Sequence, residues 1–405
     1  PVFFLLNALA SFFQYAAIII ETGALNAYRY QGDHQKYFIN TGDYIKGITF
    51  DTSTTNAILS SLGLIYFLFK RSYRMMFLCM ATLLLTASNI TVGLMIACFV
   101  GLMIIGTDRN QKSLIVVCIA LVVIFFGKIT PHNSDYVATK IESYLGIPKP
   151  ETGESQKVTD ADAKTSIARN YLASISQEAV PELPVAAAAV NPGELPVYKK
   201  PRLPKVDIHS DPYQFKDDTT IARKELIELA QQDSTSYPED IPGKITAMKQ
   251  SLHYLLEHPV EIPLGHGMGK FSSKLAFKSS GLSFAGGYPA RFVHVDTAFR
   301  QNHLDLYSYF FSRHPQFHSV VNSPNSVYDQ MTGEYGLMGL AAFGLFYLGF
   351  FVKRYRKLSY GLPLLLMMAS FFFIDYWFEQ LSVVIIFELL VFLNLKEREA
   401  IEKQS

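Results

Sequence analysis

Residues 89–127 read NITVGLMIACFVGLMIIGTDRNQKSLIVVCIALVVIFFG, and this stretch decides the fold. Two apolar runs, 90–106 and 113–127, are separated by one short polar connection, Asp108-Arg109-Asn110-Gln111-Lys112. Crossing a hydrocarbon layer of about 30 Å takes roughly 20 apolar residues at about 1.5 Å each. The same pattern recurs at 3–20, 54–70, 73–88, 336–352, 361–377 and 380–395. Together the runs predict an all-α, polytopic transmembrane bundle of about eight spans. The pair meeting at Thr86-Ala87-Ser88-Asn89 has to turn tightly.

Charge placement gives an independent check. Lys and Arg concentrate in short connections on the cytoplasmic side of membrane proteins. Here they fall at Lys70, Arg71 and Arg74, at Arg109 and Lys112, at Lys353 to Lys357, and at Lys396 and Arg398. If the chain crosses at every apolar run, all four clusters share one side. That side is assigned to the cytoplasm, which leaves 21–53, 86–90, 128–335 and a short turn at 377–380 outside. The chain opens Pro1-Val2-Phe3-Phe4 without a basic segment ahead of the first run, so it does not read as a signal peptide. Further spans upstream are expected.

Composition agrees. With 49% hydrophobic and only 18% charged residues, the chain is too apolar for an ordinary soluble enzyme. The net charge of +1 carries no message about acidic partners, and no nucleic-acid partner is expected. Cys79, Cys98 and Cys118 all fall inside apolar runs, where they behave as small hydrophobes. Three regions follow: N-terminal spans over 1–127, a long outer loop over 128–335, and C-terminal spans with a tail over 336–405. Within the loop, 147–215 is rich in Pro, Ala, Glu, Asp and Lys and is expected to be disordered. Helices are predicted over 219–232 and 243–257, the latter stopping before His258-Pro259.

Several groups in the loop could carry chemistry. The turn Gly265-His266-Gly267-Met268-Gly269 allows two readings: a tight turn packing the loop on the helices, or a nest of backbone amides facing a pyrophosphate. Histidines recur at 253, 258, 266, 294, 303, 314 and 318. Histidine titrates near neutrality and so suits general-base work. His314 and His318 have i, i+4 spacing, but Pro315 intervenes and no supporting carboxylate is near in sequence, so no metal site is expected. Outward cations are Arg29, Lys46, Lys244, Arg291, Arg300 and Arg313. An Arg fork binds phosphate oxygens in pairs. Asp375 and Glu379 either face a cavity or partner, or lie at an outer aromatic belt with Tyr376 and Trp377.

Three stretches together resemble the bacterial O-antigen ligase and O-antigen polymerase superfamily. They are Lys46 to Ala57, with Gly47 and Asn56; the Leu83 to Asn89 turn; and the loop from Gly243 through His258-Pro259, Gly265 to Gly269, and Ser323 to Gly339. The resemblance covers nearly the whole chain except 147–215. It implies a glycosyltransferase at the periplasmic face of the inner membrane, in lipopolysaccharide biosynthesis. The donor would be an undecaprenyl-pyrophosphate-linked glycan and the acceptor lipid A core or another lipid-linked glycan. No nucleotide sugar, metal or cofactor is implied. On this resemblance Lys46, Lys244, Arg291 and Arg300 bind substrate, with Asn325 and Glu334 shaping the site. The family's His-Asn pair is Pro324-Asn325 here, so His318 or His303 becomes the expected base. The alternatives are a polysaccharide transporter, drawing on Asp375 and Glu379, and a non-catalytic assembly scaffold.

Overall fold

The computed structural model describes residues 1–29, 45–105, 107–130, 243–279, 294–304, 306–307 and 323–404. Every regular element among them is helical. In chain order they are α1 (Val2–Thr22), α2 (Ser53–Phe69), α3 (Tyr73–Leu85), α4 (Asn89–Ile105), α5 (Arg109–Ile124), α6 (Gly243–Glu257), α7 (Lys274–Ser279), α8 (Thr297–Asn302), α9 (Val327–Ala342), α10 (Gly361–Phe372) and α11 (Leu381–Glu402). A π-helical turn, Phe125–Ile129, extends α5. Another, Phe343–Leu348, extends α9 as far as Val352.

α2 is the hub. Thr52 caps it by accepting from the Thr55 amide at 3.1 Å, and it is buried on every side from Ser53 to Ile65. Its small residues let α1, α3, α4, α10 and α11 approach closely. A buried polar cluster fixes α1 against it. The Asn7 amide donates to Asn56 Oδ1 at 2.7 Å, and Asn56 donates in turn to Ser11 Oγ and to the Ile45 carbonyl. This cluster also clamps the turn Gly47–Thr49, because the Ile48 amide donates to Asn7 and the Gly47 amide to Gln14.

Three helices have the length and apolar composition of membrane spans: Val2–Thr22, Arg109–Ile129 and Val327–Val352. Only 28%, 22% and 17% of their most apolar windows are buried inside the protein. Phe13, Ile20, Val123, Leu345 and Phe346 therefore point outward. Water would not tolerate such continuous apolar faces, so these helices suggest a membrane protein. Ser53–Phe69, Tyr73–Leu85, Asn89–Ile104 and Gly361–Phe372 are apolar but shorter. The four basic clusters meet at one end of the bundle. Lys70 pairs with Glu397, Arg71 with Asp108, and Lys357 with Glu402. The 147–215 stretch and the helix expected over 219–232 lie outside the described residues.

Candidate functional site

The site begins at a flaw in a helix. Within α9, Gly336 has φ 64° and ψ −166°, which no helix accommodates, so the hydrogen-bond ladder breaks there. The groups set free are taken by the turn that follows α6. The Leu337 and Met338 amides donate to the Ile262 and Pro263 carbonyls at 2.9 and 3.0 Å. In return, the His266 and Gly267 amides donate to the Gly333 and Glu334 carbonyls, both at 3.0 Å. The two backbones touch at Gly265 and Gly336. A Cβ on Gly336 would lie 2.5 Å from the Gly265 nitrogen, and one on Gly265 would lie 2.5 Å from the Glu334 carbonyl carbon.

The last glycine of the turn and the three residues from Phe271 to Ser273 make an amide nest, and the nest holds an anion of the chain's own. Glu334 accepts from the amides of Gly269 at 2.8 Å, Phe271 at 3.2 Å, Ser272 at 3.2 Å and Ser273 at 3.1 Å. Its carboxylate is buried, and these four donors replace its hydration. Of the two readings of this turn, packing onto the helices is the one found. Those amides are not displayed to a pyrophosphate.

α6 lies over the first half of α9 with one face buried: Lys244, Ala247, Ser251, Tyr254 and Leu255. The spacing is helical, and the first member is a cation. The Lys244 ammonium donates to the Ser323 carbonyl and hydroxyl, both at 3.0 Å, to the Asn325 carbonyl at 2.9 Å and to the Ile374 carbonyl at 2.6 Å. Burial pushes Lys244 down to about 7, and the Asp375 carboxylate pulls it back up. Lys244 therefore ties the ends of α6, α9 and α10 together and does not reach outward.

Two turns further along α6, the Ser251 hydroxyl lies 3.3 Å from His303 Nε2. His303 is fully enclosed, with its ring edge-on to Phe271 at 4.6 Å. Burial pushes it down to about 3, so its imidazole is neutral across the physiological range. Asp329, in the first turn of α9, faces the same hydroxyl. The residue is 1% exposed, and burial pushes its carboxyl up to about 7 against the opposing effect of the Ser251 hydroxyl. A second polar group lies nearer the surface. His266 has Nδ1 at 2.9 Å from Glu261 and Nε2 at 2.9 Å from Asp296, which also caps α8 through the Ala298 amide. Burial and the Glu261 carboxylate push the neighbouring Tyr254 hydroxyl up to about 12.

The residues expected from sequence thus separate. Lys244, His303, Asn325 and Glu334 come together around α6 and α9, and all four are buried. Arg300 is exposed in the last turn of α8, just before His303. Lys46 belongs to the separate turn held by Asn7, Gln14 and Asn56. Arg291, Arg313, His314 and His318 lie outside the described residues. The aromatic-belt reading of Tyr376 and Trp377 is corrected, because both side chains are wholly buried. Tyr376 donates to the Ser272 carbonyl and meets Tyr307, while Trp377 donates to the Phe371 carbonyl at 2.6 Å. Asp375 faces Lys244 instead, and the Glu379 side chain lies outside the described set. Sequence reasoning missed Ser251, Asp296 and Asp329. Ser251 was accessible from its place seven residues after Lys244 on one helix face.

Compared with protein-family models, curated proteins and solved structures, the chain matches none.

Proposed function

We propose that this chain is a membrane glycosyltransferase of the O-antigen ligase or polymerase type. It would transfer or polymerise an undecaprenyl-pyrophosphate-linked glycan at the periplasmic face of the inner membrane. In this reading about eight helices span the bilayer, the paired basic end is cytoplasmic, and the loop of α6 to α8 is periplasmic. One observation carries the proposal. A polar, partly exposed shell containing Arg300, Asp296, His266 and Glu261 is stitched directly onto the point where the apolar half of α9 begins. That is the height at which a lipid-borne pyrophosphate would present its phosphates, with the prenyl chain in the bilayer and the sugar above.

Chemically, the acceptor hydroxyl oxygen attacks the anomeric carbon, and the bond to the pyrophosphate oxygen breaks. The leaving group departs with the electron pair, and the hydroxyl proton passes to a base. Arg300, with Arg291, suits the departing charge. Of the two histidines expected as base, this reading keeps His318. An imidazole pushed to about 3 holds a proton too weakly for general-base catalysis near neutral pH. Lys244, Asn325 and Glu334 become framework, shaping the site from beneath. The transporter alternative gains the break in α9, a feature of solute carriers. Yet the freed groups at 333, 334, 337 and 338 are taken by the 262–267 turn, and the Glu334 carboxylate by amides.

The deciding experiment is the surface-glycan profile of the source bacterium lacking the gene, restored with wild type, His318→Ala or His303→Gln. Loss of long glycan with lipid-linked polymer accumulating identifies a ligase; arrest at one repeat identifies a polymerase. His318→Ala should fail to restore the profile and His303→Gln should restore it. An unchanged profile in the deletion strain refutes the proposal.

A further inference from the structure

α6 is buried on one face only, and its exposed surface is itself two-sided. Ile245, Leu252 and Leu256 form an apolar stripe. Lys249, His253 and Glu257 form a polar stripe beside it, about a quarter-turn round the helix. A helix wholly in water has no reason to keep an exposed apolar stripe, and one wholly in protein has none to keep a charged one. The apolar stripe continues past the helix end. Val260 is 91% exposed, Leu264 69% and Met268 65%. These residues flank Ile262 and Pro263, whose carbonyls hold the Leu337 and Met338 amides. Leu337 and Met338 are exposed too, and from them the outward apolar face of α9 runs on through Leu345 and Phe346.

We infer that the apolar edge formed by Leu252, Leu256, Val260, Leu264 and Met268 rests in the outer leaflet of the bilayer, with α6 lying along the lipid surface. The occupant is lipid because the patch is continuous with the outward face of α9. A single partner protein would have to cover the loop and a membrane span together. Lys249 and His253 mark the water-side limit, with the Lys249 stem lying over the boundary. The α6 region is thereby held at headgroup height. The inference rests on the membrane reading of α9 but not on any transferase activity.

Nitroxide labels read this directly in the full-length protein reconstituted into nanodiscs of phosphatidylethanolamine and phosphatidylglycerol. Cysteines are placed singly at 249, 253, 256, 260, 264 and 346 with Cys79, Cys98 and Cys118 replaced by alanine. Power saturation compares oxygen, which concentrates in lipid, with a water-soluble nickel chelate. Labels at 256, 260 and 264 should match 346, with nickel accessibility several-fold below that at 249 and 253. High nickel accessibility at 260 and 264 with a lipid-like 346 overturns the inference and leaves the membrane reading standing. Shielding from both reagents at 260 and 264 also overturns it, in favour of a protein cover. A water-like 346 removes the membrane reading and the inference with it. Should the cysteine-free chain misfold, Leu264→Trp with brominated lipids gives the same test, since quenching beyond that of buried Trp377 is expected and its absence is contrary.

Discussion

Lowering the pH should destabilise this protein through His303, by an amount that the burial of one ring sets. In the unfolded chain the imidazole takes up a proton near 6.5. In the folded protein burial holds it at about 3. The unfolded state therefore binds more protons between those limits, and stability is lost as pH falls from about 6.5 toward 3. The shift of roughly 3.5 units corresponds to about 5 kcal/mol at the acid limit. Between pH 7 and pH 5 the loss is about 2 kcal/mol. For a chain of this size that amounts to roughly 2–3 °C in Tm. Other groups titrate in the same range, so the informative quantity is the difference between wild type and His303→Gln, which keeps an amide facing Ser251 and cannot titrate. Thermal unfolding of both in detergent micelles, followed by helical circular dichroism at pH 7, 6 and 5, supplies it. Wild type should lose stability more steeply by about 2 kcal/mol over this interval, whatever the absolute stability of the variant. Parallel pH profiles would refute the reasoning, and with it the claim that His303 is enclosed and neutral.

Gly336→Ala should cost at least about 3 kcal/mol or abolish folding, because a methyl would lie 2.5 Å from the Gly265 backbone at a φ of 64°. Gly265→Ala should cost as much, and the double variant little more, as judged by monodisperse elution in detergent. Glu334→Gln turns an amide donor toward four backbone donors and should lose about 3 kcal/mol by thermal unfolding, with Glu334→Asp falling between. Lys244→Met leaves the oxygens of Ser323, Asn325 and Ile374 without their donor and should cost about 3–5 kcal/mol. A wild-type melting temperature there would show that the ammonium does not tie these segments. Asp329→Asn puts a neutral amide where burial already pushes a carboxyl up to about 7, and should leave stability near neutral pH unchanged or raise it by about 1–2 kcal/mol. A large loss would show that the charge is paired.

Much of the helical layout could be read from the sequence, because long apolar runs and basic connections are independent signals that agree. α6 was legible too, since Gly243 opens it and His258-Pro259 closes it. α9 starts at Val327, well before the apolar run at 336, because Asp329, Gln330, Thr332 and Glu334 dilute its hydropathy. All four of those side chains are buried against protein, where lipid solubility imposes no rule. The candidate site was only half legible. Residue type identified Lys244, His303 and Glu334 as unusual but could not give their direction. A cation on a loop helix is ordinarily solvated, and only the company of Ala247, Ser251 and Tyr254 on one face reveals that Lys244 turns inward. A nest was expected within Gly265 to Gly269, but three of its four amides come from Phe271, Ser272 and Ser273, and its anion comes from Glu334, more than sixty residues away.

The joint between the Gly265 turn and α9 is written in very few letters. Its four stitches run from main chain to main chain, which every non-proline residue can supply at a donor position. What it demands of side chains is their absence at 265 and 336 and a carboxylate at 334. As far as these bonds are concerned, the residues around them are free to drift. Two chains could share this joint and differ at almost every other position between Ile262 and Met338. Descent through such a feature is traced by two glycines and a glutamate in register, and overall percentage identity would pass over it.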